Sequence, residues 1–103
     1  ALVCCAAPAY LASSPPLPGP RALDHHAVLV YGARADRHVW RFTRAGEAIE
    51  VELAPRMRVD SARVVLDACR AGLGVARLPA FLCARDLAGG GLVRLWSDWP
   101  IAA

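Results

Sequence analysis

MRVDSARVVLDACRAGLGVARLP, residues 57–79, reads as a short strand, a capped helix, a glycine-closed turn and a second short strand, which together make one βαβ unit. Asp60 and Ser61 stand where a helix N-cap belongs. Ala62, Val65, Leu66, Cys69 and Leu73 recur at the spacing of one buried helical face, with Arg63, Asp67 and Arg70 on the other side. That face needs a sheet to lie on. Gly72 and Gly74 stop the helix and turn the chain into a strand at 75–78, and Pro79 forbids that strand from continuing in a paired ladder.

Upstream, residues 27–31 are apolar and β-branched enough for a central strand, followed by a polar loop over 32–38. Residues 39–43 resume a strand with Trp40 and Phe42 on one face and Arg41 and Thr43 on the other. Residues 44–47, RAGE, form a hairpin turn with Gly46 free to take positive φ, and 48–53 return with Ile49, Val51 and Leu53 inward and Glu50 and Glu52 in water. This predicts an antiparallel hairpin on one edge of the sheet. The opening run, residues 1–6, suits a strand buried on both faces, and residues 8–11 start a short helical turn on Pro8. Residues 13–20 are a proline-rich surface connector, and 21–26 form another short turn. Downstream, 80–88 is a short helix with Phe81 and Leu82 inward, 89–91 a glycine break, and 92–95 a last strand leading to Trp96 and Trp99.

Composition narrows the classes. At 103 residues the chain is one domain at most. It begins on Ala1 within strand-like sequence, as a piece cut from a longer protein would. The net charge of +3 comes from arginine alone, scattered among Asp and Glu without a run, which argues for a mixed solvated surface over a nucleic-acid patch. The four cysteines, Cys4, Cys5, Cys69 and Cys83, lack any C-x-x-C or Cys/His ligand spacing. Their expected role is that of small buried hydrophobes, with no metal and no cofactor, in a reducing cytoplasm. His25 and His26 belong to a surface turn. No segment approaches the ~18 apolar residues of a membrane span, and the apolar start lacks the positive flank of a signal peptide.

No catalytic constellation is present: the serines, cysteines and histidines fall in no elbow, phosphate loop or metal motif. Binding is better supported. Helix N-termini carry unpaired N–H groups, and two of them, near Asp60 and near Pro79, follow strands of one sheet at the ends where open α/β sheets hold ligands. Val59, Asp60 and Ser61 are therefore the first candidate binding residues, with Pro79, Tyr31 and Gly32 behind them. Asp60 has two readings, contact with a ligand or helix capping alone. Arg77 likewise either supplies a countercharge or faces solvent on an edge.

The stretches AGLGVARLPAFLCARDLAGGGLVRLWSDW (71–99), CAAPAYLASSPP (5–16) and LVYGARADRHVWRF (29–42) resemble, in order and spacing, the closing half of the regulatory domain of LysR-type transcriptional regulators. The likeness covers nearly the whole chain. It implies an α/β fold, the second lobe of a periplasmic-binding-protein-like sensor with a mixed sheet and flanking helices. Residues 1–103 would be a partial effector-binding domain with its hinge strands at 6–10 and 95–100, and the helix-turn-helix domain would lie outside the chain. Ala7 stands where the family usually has Ser, and Arg77 where it usually has an aliphatic residue. The implied function is sensing of a small-molecule effector, a small anion among the candidates, between two lobes of a homo-oligomer that reaches DNA only through its absent N-terminal domain. The alternatives on the same fold are a lobe of a solute-binding transport protein and an enzyme domain whose catalytic groups lie in the missing lobe.

Overall fold

The computed structural model describes residues 2–32 and 38–99. In chain order the elements are β1 (Leu2–Ala6), α1 (Pro8–Ala12), a 3-10 turn (Pro20–His25), β2 (Val28–Tyr31), β3 (His38–Arg44), β4 (Glu47–Leu53), β5 (Met57–Val59), α2 (Ala62–Arg70), β6 (Val75–Pro79), α3 (Ala80–Gly89) and β7 (Val93–Leu95). Five strands form a mixed sheet in the order β5-β2-β6-β1-β7. β2 runs parallel to both β5 and β6, whereas β1 is antiparallel to β6 and β7. The βαβ unit is therefore present, with β2 lying between its two strands.

The helical layer follows from the sequence pattern. Val65, Leu66, Ala68 and Cys69 of α2 are buried against Val3, Cys5, Leu29, Ala76 and Leu78 of the sheet, and Ala62 and Leu73 pack at the margin. Ser61, not Asp60, is the N-cap: its hydroxyl accepts from the Val64 N–H at 3.3 Å, a contact of the kind worth about 1 kcal/mol. At the other end Gly72 takes φ +81°, the Gly72 N–H bonds the Cys69 carbonyl at 3.0 Å, and the Leu73 N–H reaches back to Ala68 at 3.2 Å. This closes the orphan carbonyls of α2 and aims the chain into β6. Arg70 then ties α2 to α3 through a two-bonded pair with Asp86, at 2.9 and 2.8 Å, which holds the Asp86 carboxyl below its ordinary range.

The hairpin departs from expectation. β3 and β4 pair over their full length, but as a separate two-stranded sheet and not as an edge of the main one. Trp40, Phe42, Ile49, Val51 and Leu53 are laid on the opposite face of the sheet, against Cys4, Ala6, Val28, Val30 and Val75. Alternation told which side of each strand is buried; the partner is a sheet face that would otherwise stand bare. The molecule thus has three layers: helices, sheet and hairpin. The turn carries positive φ at both Ala45 and Gly46, the twist that matches a two-residue hairpin.

The closing segment locks this layer. Arg44 bonds Asp98 at 2.9 Å and its guanidinium lies 4.0 Å over the Trp99 ring, while the Trp96 indole Nε1–H donates to the Leu17 carbonyl at 2.9 Å. Leu17 packs on the same core, so the proline-rich connector is anchored at that point.

Three smaller expectations are corrected. Phe81 is 82% exposed on the first turn of α3, and the helix buries Cys83 instead, with Leu82 and Leu87 packed beside it. Phe81 falls outside the arc through Leu82, Cys83 and Leu87 that α3 turns to the core. His26 is not a free surface side chain. The Tyr10 hydroxyl accepts from the Ala27 N–H at 3.1 Å and is hydrogen-bonded to His26 Nδ1 at 2.8 Å. The polar loop predicted at 32–38 lies, from 33 to 37, outside the described residues, and His38 already belongs to β3.

All four cysteines are buried and unpaired. Cys4 and Cys5 face opposite cores, as neighbours on a strand must. Burial pushes the Cys4 thiol up to about 12 and the Cys83 thiol to about 11, and Cys5 is raised by its hydrogen bond with Cys69 and by burial. At pH 8 a thiol at about 12 is thiolate to the extent of roughly one part in ten thousand, and the thiolate is the form that reacts. Iodoacetamide at pH 8 should leave Cys4, Cys5 and Cys83 unlabelled by mass spectrometry in the native protein and label all four cysteines in urea. Stoichiometric native labelling of any of the three would contradict the packing.

Candidate functional site

The parallel strands β2, β5 and β6 end together, because Tyr31 pairs with Val59 and the β2–β6 register starts at Val28 and Val75. β1 runs the other way, so its first residue, Leu2, pairs with Pro79 at that same end. Both α2 and α3 begin there. A cavity of about 290 Å³ opens at this meeting point, walled by Leu2, Val30, Tyr31, Trp40, Ala62, Arg77, Leu78 and Pro79. It draws side chains from both faces of the sheet and so lies across the strand ends, where open α/β sheets bind ligands.

Of the six residues expected from sequence, Tyr31 and Pro79 are walls. Tyr31 is 57% exposed, which leaves its ring available at the mouth. Val59, Asp60, Ser61 and Gly32 stand on the adjoining strand end and helix start without forming the walls. Two of them are already engaged: Gly32 donates its N–H to the Val59 carbonyl at 2.7 Å, and the Ser61 hydroxyl caps α2. Asp60 is exposed and leaves capping to its neighbour.

Leu2, Val30, Trp40, Ala62 and Leu78 were not anticipated as walls. Val30 and Leu78 follow from extending the strand-end rule by one residue. Leu2 and Trp40 required the reversed β1 and the hairpin layer, neither of which any local pattern announces.

Arg77 does not lie on an edge of the sheet. It sits on β6, the middle strand, half-buried, with its guanidinium carbon 5.1 Å from the centre of the Trp40 ring. Burial pulls its pKa below the ordinary guanidinium value, opposed in part by the nearby Cys4. Among the described residues no carboxylate pairs with it. The walls are otherwise almost wholly apolar. This arrangement can hold a small molecule and orient it, and it contains no nucleophile with an adjacent base. Among the described residues no group of His, Cys, Asp and Glu could hold a metal ion.

The LysR substrate binding domain profile matches residues 1–103. The chain is 34% identical over 99 residues to the HTH-type transcriptional regulator PtxR of Pseudomonas aeruginosa, covering 96% of this chain and 32% of that protein. It is 32% identical over 97 residues to the probable HTH-type transcriptional regulator LtrA of Klebsiella pneumoniae, covering 94% and 31%. Among solved structures, full-length AphB, the virulence activator of Vibrio cholerae, superposes with a TM-score of 0.84 at 29% identity, over 98% of this chain and 34% of that one. The regulatory domain of AphB from Vibrio vulnificus does so at 0.85 and 25% identity, over 98% and 50%. The chain thus spans about a third of the length of the curated relatives it matches. With its α/β architecture, mixed sheet and flanking helices, the chain belongs to the LysR substrate-binding domain family.

Proposed function

We infer that the chain is the second lobe of the effector-sensing domain of a LysR-type transcriptional regulator, and that the cavity at the strand ends is its half of the effector site. The observation that carries this reading is the cavity itself, formed where β2, β6 and the start of α2 converge in a chain of this family. A ligand seated across those ends touches Tyr31, Pro79 and Leu2, all of which lie at the strand ends that a second lobe would cover. Closure on the ligand shifts the population of hinge states, and the shift is relayed through a homo-oligomer to DNA-binding heads outside this chain. The reading implies a cytoplasmic protein, and no helix among the described residues is long and apolar enough to cross a membrane. A lobe of a solute-binding transport protein is second, because the relatives named above are regulators.

The test is a small-metabolite library screened by thermal shift on the protein in the full-length form in which it occurs, in parallel with Leu2→Trp. Leu2 is partly exposed at the cavity wall, so the larger ring fills the cavity without disturbing the core, and the variant's own melting temperature should stay within roughly 3 °C of wild type. A ligand at a hundred times its Kd stabilises by about 2.7 kcal/mol. At least one compound should show that shift on wild type and lose it on the variant. Compounds that shift both equally bind elsewhere and would remove the assignment.

A further inference from the structure

Resting on the reading that this cavity is the effector site, we propose that it takes an organic monocarboxylate with a flat apolar body, the carboxylate paired with Arg77 and the body laid against Tyr31, Leu2 and Pro79. The argument starts from Arg77. A charge drawn out of water is normally paired, since desolvating it alone is costly. Arg77 lies on the middle strand of a five-stranded sheet, half-buried, and among the described residues its close neighbours are the face of Trp40 and the thiol of Cys4. Neither carries a negative charge: an aromatic face offers only its quadrupole, and burial keeps the Cys4 proton on sulfur up to about 12. Among the described residues no anion stands beside it, and the cavity that Arg77 helps to wall has room for one.

The rest of the wall selects which anion. Leu2, Val30, Tyr31, Trp40, Ala62, Leu78 and Pro79 supply no further charge, and the side-chain donors beside Arg77 are the Tyr31 hydroxyl at the mouth and the indole N–H of Trp40. One guanidinium among apolar walls satisfies one carboxylate in a two-bonded fork. It leaves the second charge of a phosphate uncompensated by any side chain of the wall. Trp40 is buried beneath the guanidinium, and the more than half-exposed Tyr31 ring at the mouth is the planar surface that favours an aromatic or otherwise flat body over a sugar.

The experiment uses the full-length form and a defined probe set: benzoate, phenylacetate and indole-3-acetate, their neutral amides, and inorganic phosphate. Thermal shift and calorimetry should show at least one carboxylate binding, its amide at least tenfold weaker, and phosphate not competing. Arg77→Ala should lose that carboxylate at least tenfold while Arg77→Lys keeps part of the affinity, because lysine supplies the charge without the fork. Arg77→Met serves as the folding control, and its ligand-free melting temperature should equal or exceed wild type, since it removes an unpaired charge and keeps the stem. The proposal is overturned if acid and amide bind alike and Arg77→Ala binds both, an outcome that leaves the effector reading intact. It is overturned as well if phosphate displaces the acids, or if no probe binds. In the last case the metabolite screen against Leu2→Trp decides separately whether the effector reading also falls.

Discussion

Gly74→Ala should lower the melting temperature by roughly 10 to 25 °C, a loss of about 2 to 4 kcal/mol in a domain of this size. A Cβ built at Gly74 would lie 2.6 Å from the Ala27 carbonyl oxygen, 3.0 Å from its carbon and 3.2 Å from its Cβ. The first two of these are backbone atoms at the start of β2, so no rotamer can relieve the clash. The same carbonyl accepts from the Val75 N–H at 2.9 Å, at the point where β2 and β6 begin to pair. Pushing it away adds the loss of a buried hydrogen bond, about 1 to 3 kcal/mol, to an overpacking cost of similar size. Gly89→Ala is the matching control. It lies in the last turn of α3 with nothing within 4 Å of the new methyl, and should be neutral or stabilising by up to ~1 kcal/mol. Calorimetry on both variants decides the matter: a Gly74→Ala protein melting within two degrees of wild type would mean that β2 and β6 do not approach this closely. The consequence reaches the cavity, because the β2–β6 register is what sets Tyr31 beside Leu78 and Pro79.

How much of this was legible before the fold depends on the range over which each feature is encoded. The β5–α2–β6 unit was readable because its signals are local: a cap, a 3-to-4-residue apolar repeat, glycines at the stop and a proline at the strand's end. Ser61 against Asp60 as the cap was left open by the sequence, since either side chain suits the position; only the placement of its oxygen toward the Val64 N–H distinguishes them. Phe81 misled because hydrophobicity was read without helical phase, and Cys83, smaller and two residues on, takes the buried position. For the cavity, Tyr31 and Pro79 follow from the strand-end rule alone. Leu2 and Trp40 depend on strand order and layer, which no stretch of this chain encodes by itself. Arg77 lay between the two: a lone charge inside V-A-R-L-P was visible, but whether it met water or a cavity was decided by the hairpin that covers it.

That hairpin gives the second large prediction, Phe42→Ala, expected to cost about 3 to 5 kcal/mol. Against a total stability of about 5 to 15 kcal/mol for a domain this size, the variant should be on the margin of folding at 37 °C. Phe42 is 1% exposed, the largest of the fully buried side chains, and meets the Trp96 ring edge-on at 5.9 Å. Because β3 and β4 form their own sheet, no strand ladder ties them to β2 or β6. The layer is held by side chains packed between two faces, with Arg44–Asp98 at its rim. Truncating the central ring should therefore release the hairpin preferentially: hydrogen exchange should rise first in peptides from β3 and β4, ahead of those from α2. Thr43→Ala, one residue on and exposed on the outer face, should stay within about 0.5 kcal/mol. If Phe42→Ala costs no more than Thr43→Ala, the hairpin is not latched through this ring. If exchange rises equally in α2 and β3, the hairpin is no separable layer but part of one cooperative core. The preferential outcome would also loosen Trp40, and with it the platform under Arg77. Carboxylate affinity should then fall in Phe42→Ala even though Phe42 does not touch the cavity.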